Sequence, residues 1–172
     1  MPPVILNHPR GSVMNHQPEG PTCWVSCVVA VVEYYKNALM PNKNGLSPVQ
    51  YMEADFMKWH ASATTSPNYL KHALSLEGHY EGEQKLLSTD AAQTIFTTVT
   101  NEINAQRPLL FGVHRTGATY GHALMVYGYN LPNTCYIADP IIGQLTQTID
   151  LLKHGYNGYP AYHWIKLWRT KP

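Results

Sequence analysis

The sequence predicts an α+β fold, with helices leading and an antiparallel sheet following. Three observations carry that expectation. Apolar residues recur at helical spacing as far as Ala105, whereas from Pro108 onward they come in short runs rich in β-branched and aromatic side chains. No repeat, charge block or low-complexity tract divides the 172 residues, and a hydrophobic content of 44% suffices for one core.

Residues 1–16, with Pro2, Pro3, Pro9 and Gly11, read as an extended lead-in rather than a packed element, and residues 17–172 as a single domain. The first helix runs from about Cys23 to Asn37, where Trp24, Cys27, Val28, Val31 and Tyr35 form a buried stripe. Thr22 suits its N-cap, and Pro41 and Gly45 lie beyond its end. Two further helices share a Ser-Pro start: Ser47-Pro48 opens LSPVQYMEADFMKWH and Ser66-Pro67 opens SPNYLKHAL. A fourth spans Ala91 to Ala105, capped by Ser88, Thr89 or Asp90, and stops before Pro108. The strands are PLLFGVHR, HALMVYGYN, TCYIADP, QLTQTI and AYHWIKLW, with 131–133 as a hairpin connection and a short helix from Ile149 to His154. Trp164 and Trp168, four apart, should share one strand face as sheet core.

Charge and composition exclude several functions. A formal net charge of +1 with no basic block argues against nucleic acid or an anionic membrane as partner. No apolar run reaches spanning length, and MPPVILNHPRGSV lacks the apolar core of a signal peptide. The expected location is therefore cytoplasmic, with delivery to a target cell by a dedicated secretion system as the other route. Cys23, Cys27 and Cys135 make no disulfide framework and read as reduced thiols. No CxxC, HExxH or paired His at helical spacing occurs, so neither a metal nor a cofactor is expected.

The chemistry gathers around Cys23, which sits where the loop QPEGPT becomes a helix. Unpaired backbone N–H groups and the positive end of the helix dipole favour the thiolate there. Cys27, one turn deeper, reads as core. Gln17, six residues upstream of Cys23, could donate a side-chain N–H to an oxyanion. Among nine histidines, His122 stands out because it opens the apolar strand HALMVYGY directly after Gly121. Asp139 ends the next strand, so a hairpin through 131–133 would bring the two side by side as base and orienting group. His114 is the rival base and Asp150 the rival orienting group.

Gln17, five residues, Cys23-Trp24, then Gly121-His122-Ala123 with a strand ending in Gly128-Tyr129, then Asp139-Pro140: this pattern resembles the papain-like cysteine peptidases. It is most similar to their compact bacterial branch, the leader-peptide-processing peptidase domains and staphopain-like effector proteases. The resemblance covers about residues 13 to 169. It implies a papain-like catalytic domain over 17–172, with the nucleophile at a helix start packed on a C-terminal sheet. It further implies Cys23 as nucleophile, His122 as base, Asp139 as orienting group, Gln17 in the oxyanion hole, and hydrolysis of a protein or peptide substrate through a thioester. Larger members carry a pro-segment and disulfides that this sequence lacks, and residues 40–105 match nothing that would carry subsites over. Without a pro-segment, the expected setting is a delivered toxin or effector restrained by an inhibitor or immunity protein. The same triad also suits protein-glutamine deamidation or acyl transfer, and the fold alone would suit a non-catalytic binding module.

Overall fold

The computed structural model describes residues 2–9, 22–60, 69–118, 121–158 and 161–172. Helices α1 (Cys23–Lys36), α2 (Pro48–His60) and α3 (Tyr69–Leu76) come first, after the short strand β1 (Val4–Ile5). Strand β2 (Tyr80–Lys85) and helix α4 (Ala92–Asn104) follow. The remainder is β3 (Leu109–Arg115), β4 (His122–Asn130), β5 (Thr134–Asp139), β6 (Gly143–Thr148), helix α5 (Ile149–His154), a single 3-10 turn (Tyr156–Gly158) and β7 (Tyr162–Thr170). The described strands form one antiparallel sheet in the order β2-β7-β3-β4-β5-β6. The α+β expectation holds.

The sheet separates two cores. Ala123, Met125 and Tyr127 of β4 face α1, α2 and α3, whereas Leu124 and Val126 face α4 and α5. Strand alternation thus sorts every second residue to one helical layer or the other. Helix α1 is buried on all sides from Val25 to Glu33, so the expected stripe is in fact a whole cylinder. Valine is a poor helix former, and α1 carries five; burial rather than propensity holds it together.

Local chemistry explains the other boundaries. At α2 the Ser47 hydroxyl accepts from Gln50 N–H (3.4 Å) while the Gln50 side-chain carbonyl accepts from Ser47 N–H (2.9 Å), a reciprocal capping box. The Ser66-Pro67 start of the third helix lies outside the described residues. Helix α4 starts at Ala92 with Ala91 at its N-cap position, not Ser88, Thr89 or Asp90; the Asp90 carboxylate instead accepts from Leu87 N–H in the preceding turn (2.7 Å). For α5, Thr148 supplies the capping oxygen to Leu151 N–H at 3.3 Å.

Two further sequence expectations need correction. Trp164 and Trp168 face opposite cores, because Gly112 pairs with Lys166 and Val113 with Trp164. Ile165 is the extra residue of a bulge that reverses the alternation. The described part of the lead-in, residues 2–9, is packed, although it reads in the sequence as extended rather than packed: Val4 and Ile5 pair with Tyr129 and Gly128 of β4, Leu6 N–H donates to Tyr127 O at 2.8 Å, and His8 Nε2–H donates to Ala30 O at 2.9 Å. β1 therefore takes the edge of β4 beyond the point where β3 leaves it.

That docking depends on Gly128. A Cβ there would stand 2.7 Å from Val4 O and 3.1 Å from Ile5 Cα, both backbone atoms that cannot swing aside. Gly128→Ala should expel β1 at a cost of roughly 1–3 kcal/mol. Hydrogen exchange reads this directly: Leu6 N–H should lose its protection, and retained protection with unchanged stability would contradict the assigned pairing.

Candidate active site

Cys23 is the first residue of α1 and is only 7% exposed. Thr22 occupies the N-cap position but its side chain makes no capping bond to the helix. Its carbonyl accepts from Val25 and Ser26 N–H at 3.0 and 3.2 Å, closing the first turn. The positive end of the helix dipole therefore falls on the thiol. A further donor arrives from the sheet, where Ala123 N–H points at Cys23 Sγ at 3.4 Å.

His122, the first residue of β4, is fixed between two groups. Its Nε2–H donates to Asp139 Oδ2 at 2.8 Å, and its ring lies close enough to Cys23 for the two side chains to interact. Asp139 ends β5 and is 1% exposed. Its Oδ1 accepts from Ile141 and Ile142 N–H at 2.7 and 3.1 Å, and Oδ2 accepts from the Tyr156 hydroxyl as well as from His122. The β4–β5 hairpin pairs Met125 with Ala138, which brings the outer ends carrying His122 and Asp139 together.

The electrostatics follow from this contact set. Burial would lower the His122 pKa, but the hydrogen bonds and charges of Asp139 and Cys23 outweigh it and raise it to about 9. Burial would raise Asp139, yet His122, Tyr156 and Ile141 N–H hold it below the ordinary carboxylate value. Burial and the Asp139 charge push the Tyr156 phenol far up, so it stays a donor. Cys27 is raised well above a free thiol by burial and by the nearby Cys23 and Asp139, and Cys135 is pushed up to about 12 by burial.

Of the residues singled out from the sequence, Cys23, His122 and Asp139 meet at one point, while Gln17 lies outside the described residues. His114 stacks edge-on with His163 across β3 and β7 (5.8 Å between ring centres). Asp150 accepts from Asn133 at 3.4 Å, at the opposite end of β5 from Asp139. Trp24 packs against Phe56 and Tyr69 (4.7 and 5.5 Å) and is taken up by α2 and α3. Tyr156 escaped the sequence reading. The segment GYNG marks a turn, with Asn157 in the left-handed region (φ 53°), but nothing in its spacing distinguishes Tyr156 from eleven other tyrosines. Among the described residues no group of three or more His, Cys, Asp or Glu side chains is placed to hold a metal ion.

Comparison with known proteins gives a match to the model of one family, the Peptidase_C39 like family, over residues 5–167. No curated protein sequence matches. Among solved structures, a double glycine motif protease from an AMS/PCAT transporter, in complex with its leader peptide, superposes with a TM-score of 0.52 at 15% identity, covering 99% of each chain. The Pseudomonas avirulence protein AvrPphB gives 0.47 at 16% identity, covering 88% of this chain and 89% of that one. The first of these likenesses shows a shared fold.

Two measurements test the site. Near neutral pH, iodoacetamide should alkylate Cys23 well before Cys27 or Cys135, whose thiols are fully buried and held protonated; peptide mapping that finds all three labelled equally in folded protein would count against the assigned contacts. The second concerns stability. His122 titrates higher folded than unfolded, so its contribution is full below about pH 6.5 and fades as pH rises through about 9. Asp139 titrates lower folded, so its contribution is present above the ordinary carboxylate value and fades as pH falls through its depressed one. Denaturant unfolding should show stability declining from pH 6.5 to 9 by a few kcal/mol, and His122→Gln should flatten that decline.

Proposed function

The chain belongs to the Peptidase_C39 like family and is a papain-like cysteine protease; from that premise we propose that Cys23, His122 and Asp139 are its catalytic triad and that it cuts peptide main chains through a thioester. The observation that carries the reading is the imidazole of His122 held between the Cys23 thiol and the Asp139 carboxylate. In this mechanism the Cys23 thiolate attacks the scissile carbonyl while His122 is protonated. Collapse of the tetrahedral intermediate breaks the C–N bond, and the imidazolium gives its proton to the leaving amine. His122, now neutral, takes a proton from water, which hydrolyses the thioester and restores the thiol. Asp139 keeps the imidazole in one tautomer throughout. The backbone N–H of Cys23, at the helix start, and the Gln17 side chain are the proposed oxyanion donors.

A peptide is the proposed substrate class. Family membership supports it, and the double glycine motif protease of the same fold was solved with a leader peptide bound. An extended main chain lying across the start of α1 would meet no bulky wall from Trp24, which packs into the α2–α3 layer.

A peptide-library digest followed by mass spectrometry tests the reaction. Internal cleavages should appear with the wild type and vanish in Cys23→Ala and in His122→Ala, since nucleophile and base act as a unit. Gln17→Ala should slow turnover roughly 100- to 1000-fold while leaving the thiol reactive, and Asp139→Ala should fall between. Cleavage that survives Cys23→Ala would refute the triad. A Cys23-dependent conversion of glutamine to glutamate, without any cut, would keep the triad and replace the peptidase reading with deamidation.

A further inference from the structure

We propose that Tyr156 is a positioning residue for this reaction: its hydroxyl, donating to the same Asp139 oxygen that receives the His122 N–H, fixes that oxygen and limits how strongly it draws the imidazole proton. The inference rests on the triad reading above. Tyr156 is 3% exposed and stands in the 3-10 turn after α5, with its ring 6.5 Å from that of His122. Asp139 Oδ1 is occupied by the Ile141 and Ile142 N–H groups, so Oδ2 is the oxygen left for the imidazole, and Tyr156 is its second donor. The titratable groups around this carboxylate are His122 on β4, Cys23 and Cys27 on α1, Tyr156 itself, and Tyr162 on β7, whose ring lies 6.3 Å from that of Tyr156. Of these side chains, His122 and Tyr156 are the ones that hydrogen-bond Oδ2.

The chemistry sets the direction. A phenol donating to a carboxylate withdraws charge from it. Without that donor the carboxylate is a stronger base and holds the imidazolium proton more tightly. An imidazolium that is harder to deprotonate is a weaker acid toward the leaving amine, so acylation slows.

Tyr156→Phe keeps the ring and its packing and deletes the donor. The His122 titration, followed by NMR of its ring protons in the absence of substrate, should move up by roughly one unit. Turnover should fall roughly 3- to 10-fold with KM little changed, and the alkaline limb of the pH profile should move up with His122. In an Asp139→Asn background the same substitution should add no further loss, because the hydroxyl acts through the carboxylate. Replacing Tyr156 by 3-fluorotyrosine, a stronger donor that retains the hydroxyl, should move His122 the opposite way; it also serves if the Phe variant fails to fold. An unmoved His122 titration in folded Tyr156→Phe, or equal losses in the wild-type and Asp139→Asn backgrounds, would overturn the proposal. Turnover that persists in Cys23→Ala would instead sink the triad reading, and the substrate-free titration would still report on the Tyr156 contact.

Discussion

A carboxylate taken out of water is among the most costly groups a fold can bury, and Asp139 is buried almost completely. It persists as an anion because four donors converge on it: two backbone N–H groups, an imidazole and a phenol. The donors come from three different constraints on the chain. The hairpin register brings His122, the turn after Pro140 brings Ile141 and Ile142, and the 3-10 turn after α5 brings Tyr156. The strand end, the turn and the segment beyond α5 are thereby tied to one another through two oxygen atoms. Removing any one donor leaves that buried charge less well compensated.

Cys23 reaches this cluster from the other side of the sheet. It rides on α1, whose valines form a helix only because apolar contacts enclose them on every side. His122, by contrast, alternates to the opposite face of β4 from Ala123 and lies beside Tyr156, which belongs to the layer of α4 and α5. The thiol and the imidazole thus come from different elements and meet at the rim of β4, where Ala123 N–H points at the sulfur. Their separation is set by how α1 seats on the sheet. A packing change in the Val28–Val32 region would therefore be felt at the thiol before it was felt at the Asp139–His122 pair.

Much of this was legible in the sequence because it rests on local signals. The Ser47-Gln50 capping box, the five strand runs and the short α5 helix are each written in a few adjacent residues, and the His122–Asp139 meeting follows from one hairpin. What escaped depends on tertiary context. Strand β2 (YEGEQK) has little apolar alternation because among the described strands it is an edge strand paired with β7, and its burial is slight. The bulge at Ile165 cannot be foreseen from strand β7 alone; it arises where β7 must match Gly112 and its neighbours on β3. β1 was unreadable because two residues make no period, and its seat depends on the missing side chain of Gly128. Tyr156 is remote in sequence from both groups it serves, and no spacing rule connects them.

The arrangement favours a charge pair before any substrate arrives. With His122 raised to about 9 and Asp139 depressed, the imidazole is protonated at neutral pH and stands as a cation beside Cys23. The cation is thus in place in advance of the proposed reaction. Cys27 lies close enough to feel the charge of Cys23, but burial keeps its thiol protonated, so the second sulfur neither competes for the imidazolium nor adds a repelling charge. The same preparation has a cost at the next step. In the proposed reaction, an imidazolium held by the Asp139 carboxylate is reluctant to surrender its proton to the leaving amine. The phenol donor on the carboxylate relieves this tension: it lowers the pull of Asp139 without loosening its position, since Oδ1 remains tied to the turn. The turn N–H pair and the Tyr156 hydroxyl thus both orient Asp139 and both lower its basicity, the hydroxyl acting at the oxygen that faces His122.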